Sequence, residues 1–534
     1  VATEAQCVDE LKFDDEPINA EMLLDRLMGV IKETAYEESV RLAQEKGPFP
    51  AFDPARHTIE GRARIALTPG DHEPTQVTLP LASSLVVQSV SSDELGRLFS
   101  VRVRNQDTLL VVLPALLLPH ADLTLTVSYG GPLDPQPADQ ELLSLAQQGF
   151  EFPAQPLRIE PSDLYSSQIE WYPRPAIPDY ATASIRLTLP ASYDCVATGG
   201  PSPNSPEALP EAAGRPRQRR YTFDVGKPLR YFSFLVTRLT PVTTSPVILA
   251  DSSALTIDVV AHPSPELRPK ARDIGERAPD IVRYYESLAG GAPFPGLTLA
   301  VLGGTQPGGH SPGYLSILTE PPPKQPRFWK NDPAAFDTYE EFFPAHEIAH
   351  QWWGQAVGWD TYHDQWLSES FAQYFAALYV GHERGPDAFR AVMDNMRFWA
   401  LRESPQGPIF LGYRLGHVQS DTRVFRALVY DKGAVVLHML RLCIGDEALF
   451  VKRIGEEVLE MRSIAGCKFL VCQQPADETV PFAGWAQNTQ VRLDRGLAGH
   501  GMAPEGLVEI PRNKSSSRVL ARDEQVIVVS IAEE

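Results

Sequence analysis

Between residues 53 and 245, apolar and polar positions alternate in short runs that end at glycine or proline. Examples are "GRARIALTPG", "ADLTLTVSYGG" and "ASIRLTLPA". In the last of these, Ile185, Leu187 and Leu189 fall on one face while Ser184, Arg186 and Thr188 fall on the other. A period of two with turn residues at the ends predicts half-buried antiparallel strands. The segment "NSPEALPEAAGRPRQ" between two such runs is expected to be an exposed loop. The pattern changes beyond about residue 250. "ELRPKARDIGERAPDIVRYYESLAG" places Ile274, Ala278, Ile281 and Tyr285 at helical spacing, and "LTLAVLGG" predicts a short buried strand. "PPPKQPRFWKNDPAAF" is a proline-broken loop. Helices are expected over "EEFFPAHEIAHQWWGQ", "SESFAQYFAALYVGHE" and "DKGAVVLHMLRLCIG". Residues 20–46 predict an amphipathic helix stopped by Gly47 and Pro48, and the end of the chain, "RDEQVIVVSIAEE", predicts a strand.

This order describes a multidomain α+β protein. Its parts are a helical N-terminal extension (1–52), an all-β domain (53–245), a mostly helical domain (246–450) and an unassigned C-terminal region (451–534). With 534 residues and a hydrophobic fraction of 43%, the chain can bury several cores. Its net charge of -20 disfavours nucleic acid and anionic membrane surfaces as partners. No apolar run is long enough for a transmembrane helix, and the acidic start lacks the basic and apolar parts of a secretory signal. A soluble protein is expected, of no assigned compartment or oligomeric state. The five cysteines (Cys7, Cys195, Cys443, Cys467, Cys472) do not form a disulfide framework.

Candidate chemistry is concentrated in "AHEIAHQWWGQAVGWDTYHDQWLSESFAQYFAALY", residues 345–379. His346 and His350 are one helical turn apart and can aim both imidazoles at one ion. Glu347 is not needed as a ligand and can take a proton from water beside that ion. Glu369, nineteen residues after His350, opens a second helix and suits the third ligand. Three ligands leave a position open, as catalytic zinc requires. The plain alternative is a helix carrying two hydrogen-bonded histidines. Asp364 is a candidate partner for a ligand imidazole, against a helix-capping role.

The stretch "HEIAHQWWGQAVGWDTYHDQWLSESFAQY" resembles the gluzincin metallopeptidases of the aminopeptidase N and leukotriene hydrolase type, and the resemblance runs from about residue 53 to 450. It implies a β saddle domain followed by a thermolysin-like catalytic domain. It also implies one zinc per chain on His346, His350 and Glu369, with Glu347 as general base. Within it, "WLSESFA" has Ser368 and Ser370 where the family usually carries Asn and Gly. "LVYDKGAVVLHMLR" matches a motif whose tyrosine, here Tyr430, hydrogen-bonds the oxyanion.

One motif departs from the family. The family carries a "G-x-M-E-N" strand whose glutamate holds the substrate's free α-amine. The corresponding "GGTQPGGHSPGYLSIL", residues 303–318, has no acidic residue, and His310 or Ser311 stands in that region. Gly309, Gly313 and Tyr314 are expected to line a substrate groove with them. Gln168 in "SSQIEWYP" corresponds to a second amine contact. Residues 1–52 resemble a short piece of adenosylcobalamin-dependent ribonucleotide reductases, without the cysteine chemistry. The expected activity is zinc-dependent, aminopeptidase-like peptide hydrolysis. The alternatives are epoxide-type, non-peptide hydrolysis on the same fold, or a binding module that keeps zinc without turnover.

Overall fold

The computed structural model describes residues 52–68, 74–103, 106–113, 122–136, 161–174, 180–210, 216–304, 308–320, 336, 338–359, 364–409, 422–446 and 449–450. It also describes short strands at 12–13, 16–17, 492–494, 507–509, 518–522 and 525–528. The helix expected over 20–46, the proline-broken loop over most of its length, and Cys467 and Cys472 lie outside the described residues.

The N-terminal part is built from strands, as the alternation predicts. Thr58–Leu67 pairs antiparallel with Leu123–Pro132, and Ala181–Pro190 with Gln218–Leu229. Ile185, Leu187 and Leu189 are buried while Ser184 and Arg186 are exposed. Period two therefore becomes one packed face and one wet face. An aromatic cluster fills the core, with Tyr165 stacked on Phe234 at 4.8 Å and Trp171 edge-on to Phe234 at 4.9 Å. The loop expected around residue 207 also contributes a two-residue strand, Glu207–Ala208, paired with Gln218–Leu229.

The second part is organised on a five-stranded sheet. Its strand order is Thr240–Ile248, Ala254–Ala261, Gly296–Gly303, Leu315–Glu320, Gly308–His310. The middle three run parallel to one another and the two outer strands antiparallel to their neighbours. Thr240–Ile248 thus belongs to this sheet, although the alternation alone assigned residues up to 245 to the preceding domain.

Six α-helices are described: α1 (Leu267–Ala289), α2 (Phe342–Ala349), α3 (Trp366–Arg384), α4 (Pro386–Glu403), α5 (Thr422–Arg426) and α6 (Gly433–Ile444). Helix α1 buries Leu267, Ala271, Ile274, Ala278, Ile281, Val282 and Tyr285. Each large apolar side chain there contributes about 1.5–3 kcal/mol. Gly290, at φ 76°, ends the helix with its N–H on the Glu286 carbonyl.

Helix α2 is shorter than the expected stretch of 340–355. It stops at Ala349, and the chain then turns through Gly354, whose φ of 108° disfavours any side chain. Tyr285 of α1 donates to the Ala345 carbonyl at 3.0 Å, and Ser316 of the sheet donates to the Glu347 carbonyl at 3.3 Å. Those two bonds fix α2 between α1 and the sheet. Glu341, fully buried just before α2, pairs with Arg384 at the end of α3 and lies 3.5 Å from Arg277 of α1. Burial pushes its carboxyl up, but the arginines outweigh burial and hold it below the usual carboxylate range.

Candidate metal centre

Helices α2 and α3 bring three ligand-type side chains to one point. His346 Nε2 and His350 Nε2 are 3.1 Å apart. Glu369 Oε2 lies 3.5 Å from the first and 3.4 Å from the second. All three residues are buried, and their ligand atoms lie within 4.8 Å of one another. Burial alone would push the Glu369 carboxyl up, yet the two imidazoles outweigh it and hold the group well below the usual range. Oε2 of Glu369 makes no hydrogen bond among the described residues. A buried, unsatisfied carboxylate oxygen facing two converging imidazole nitrogens is costly without a cation. The donor set of two nitrogens and one oxygen therefore fits a catalytic zinc ion.

The far side of His350 is held in place. Its Nδ1 lies 3.1 Å from the Trp353 carbonyl and 3.2 Å from Ser368 Oγ. Such contacts fix the tautomer that leaves Nε2 for metal. Ser368 thus sits directly behind His350. Asp364 is half-buried two residues before α3.

Glu347 is 3% exposed and receives a 2.6 Å hydrogen bond from Ser311 Oγ to Oε2. The edge strand Gly308–His310 lies so close that a Cβ on Gly309 would collide with the Glu347 carboxylate. Tyr430 is buried, and its ring stacks parallel to that of His346 at 5.7 Å.

His310 Nε2 is 2.7 Å from Ser166 Oγ, which is 2.5 Å from Ser233 Oγ. Burial, with a contribution from His350, pushes the His310 imidazole down to about 4, so it is neutral near pH 7.

Residues 341–458 match the peptidase family M1 domain. The chain is 32% identical over 111 residues to aminopeptidase N of Streptomyces lividans. That alignment covers 20% of this chain and 13% of the relative. It is 33% identical over 109 residues to human endoplasmic reticulum aminopeptidase 1, covering 20% and 11%. The match therefore spans a small part of these relatives' length. The fold likeness is broader. An M1 zinc metallopeptidase from Deinococcus radiodurans superposes with a TM-score of 0.56 at 21% identity, covering 77% of this chain and 83% of that one. Yeast LTA4 hydrolase gives 0.52 at 15%, covering 76% and 59%.

The M1-domain match includes His346, Glu347, His350, Glu369 and Tyr430, and the structure brings these five together with Gly309, His310 and Ser311. Other expected site residues stand apart. The Tyr314 side chain is buried against Phe294, its hydroxyl accepts from the Lys227 N–H, and its own N–H donates to Gln351 Oε1. Packed in this way, the ring is a core element and not a groove wall. Gly313 lies against Leu229. Gln168 is exposed on a turn two residues beyond Ser166.

The sequence reading missed Tyr231. Its hydroxyl accepts from Gln355 Nε2 at 2.8 Å, and burial first, with Glu369 contributing, pushes its pKa up. No spacing signal connects a tyrosine in the β-rich part to a turn more than a hundred residues later.

Proposed function

We propose that this chain is a zinc-dependent peptidase of aminopeptidase-like type, with one zinc held by His346, His350 and Glu369. The observation that carries the reading is the buried convergence of those ligand atoms, with Glu347 and Tyr430 beside them. Zinc bound there would act as a Lewis acid and lower the pKa of water into the neutral range. Glu347 accepts the attacking water's proton on a carboxylate oxygen and delivers it to the leaving amine. Ser311 occupies Oε2, which leaves Oε1 for that transfer. Tyr430 donates its phenolic hydrogen to the oxygen that becomes negative, and does so without a charge of its own. A retired binding module would have no use for either group. Asp364 is assigned to the outer support of the ligand histidines.

In the same reading, residues from 53 to about 240 form a β saddle domain and those from about 240 to 450 a thermolysin-like catalytic domain. Gly309, His310 and Ser311 border the substrate site, the His310 and Ser311 side chains being engaged by Ser166 and Glu347, and Gln168 is assigned a contact with the substrate's amine end. A weak preference for a free N-terminus is expected, because the edge strand offers a neutral imidazole and a hydroxyl in place of a carboxylate. The deciding experiment is a cleavage survey of a peptide library with free and blocked N-termini, run before and after chelation. Chelator-sensitive cleavage is the expected result. No cleavage by zinc-loaded protein would refute the peptidase reading.

A further inference from the structure

Tyr430 does not sit on a regular α-helix. It lies in a π-helical turn, Ala427–Lys432, set between α5 and α6. Such a turn inserts a residue into the helical ladder and persists where its surroundings hold it. Here helix α3 holds it on both sides of the tyrosine. Ser370 Oγ donates to the Val429 carbonyl at 2.6 Å, and Gln373 Nε2 donates to Asp431 Oδ1 at 3.1 Å. All four of these residues are buried. Gly433, where α6 begins, approaches so closely that a Cβ there would collide with the Ser370 hydroxyl. Lys432, also buried, donates from Nζ to the Gly407 carbonyl at 2.9 Å.

Ser370 and Gln373 follow the ligand Glu369 by one residue and by one helical turn. A glycine at 370, as in the family stretch, has no hydroxyl to give the Val429 carbonyl.

We propose that Ser370 and Gln373 are positioning residues that hold the π-turn in register and so set the Tyr430 phenol relative to the metal ligands. This rests on the role given to Tyr430 above. Helix α3 then carries both a ligand and the two contacts that locate the oxyanion donor, so the two functions shift together or not at all.

The test uses the zinc-loaded full chain with Ser370→Ala, and Gln373→Met as a second variant that keeps volume but loses the donor. Each is expected to retain zinc and to exchange the backbone amides of 427–433 faster than the parent. Each should also lower kcat roughly 10-fold with KM unchanged, because a modest misplacement forfeits part of the donor's contribution. In a Tyr430→Phe background the same substitutions should cost nothing further in kcat, since residues acting through one group are non-additive. Unchanged amide exchange would overturn the proposal, as would an undiminished kcat loss in the Tyr430→Phe background. If the parent shows no turnover, the peptidase reading fails separately and amide exchange alone decides this one.

Discussion

Acetylating the N-terminus of a peptide substrate should cost this protein little. A carboxylate facing an α-ammonium in a partly dry cleft is worth about 1.5–3 kcal/mol, or roughly 10- to 150-fold in discrimination. The described carboxylates weighed for that contact already have partners. Glu347 receives Ser311, and Glu369 faces two imidazoles. Glu170 is bound by two 2.6 Å hydrogen bonds from Arg174, and Glu320, on the strand beside the edge strand, is paired with Lys270. The edge strand itself ends in His310, neutral near pH 7, with Ser311 next in the chain. A free amine meeting those groups gains one ordinary hydrogen bond, about 1 kcal/mol, and still has to shed part of its hydration.

The kcat/KM ratio for free and acetylated versions of one peptide is therefore expected to be about 10 or less. The assay compares the two peptides at equal zinc loading, with product release followed by chromatography. A ratio of about 100 or more, the size a carboxylate would give, would refute the reasoning and point to a grip from elsewhere. Gln168, Glu170 and Glu320 would then be the residues to substitute first.

Three further outcomes are expected. Elemental analysis should find one zinc per chain, and His350→Ala should lose it, because two ligands hold zinc far less well than three. Glu347→Gln should keep zinc and lose most turnover, while Tyr430→Phe should keep zinc and lose roughly 10²–10³-fold in kcat; parent-like rates in both would remove their assigned roles. Glu341→Gln should lower the melting temperature at pH 7, since it weakens the clamp between α1, α2 and α3. Because the folded Glu341 pKa is depressed, its contribution is present above the unfolded value near 4.5 and is lost as pH falls through the folded value. The parent and Glu341→Gln melting curves should accordingly converge in acid, and a gap that widened below pH 4.5 would contradict that sign.

The parts of this molecule that were legible in its sequence are those with a short repeat. Alternation over 181–190 gave the strand and its buried face, since side-chain direction in a strand depends only on parity. The four-residue spacing of His346 and His350 predicted their convergence for the same kind of reason, and Glu369 followed from its place at the start of a second helix. Long-range contacts had no such signal. Tyr231 reaches Gln355 across 124 residues, and Ser166 reaches His310 across 144. Both meetings depend on how the two parts of the chain pack. Tyr314 misled the sequence reading because proximity to the glycine-rich stretch says nothing about which way a ring points; at φ 67° its ring is turned into the core.

The two kinds of departure from the family pattern differ in consequence. Ser368 and Ser370, where the resembling family has Asn and Gly, each have a partner close to the proposed metal centre, one behind His350 and one on the carbonyl beside Tyr430. On the proposed reading, those serines support the ligands and the oxyanion donor and leave each group in place. At 310 and 311 the change removes a charge and turns the strand's polar groups inward, to Ser166 and to Glu347. On the proposed reading, hydrolysis does not require a carboxylate at this position, because in the resembling family that group selects one end of the peptide. Retained hydrolysis with relaxed choice of peptide end is the combination that satisfies both sets of contacts. It also explains why Glu347→Gln and substrate acetylation should affect this protein so unequally.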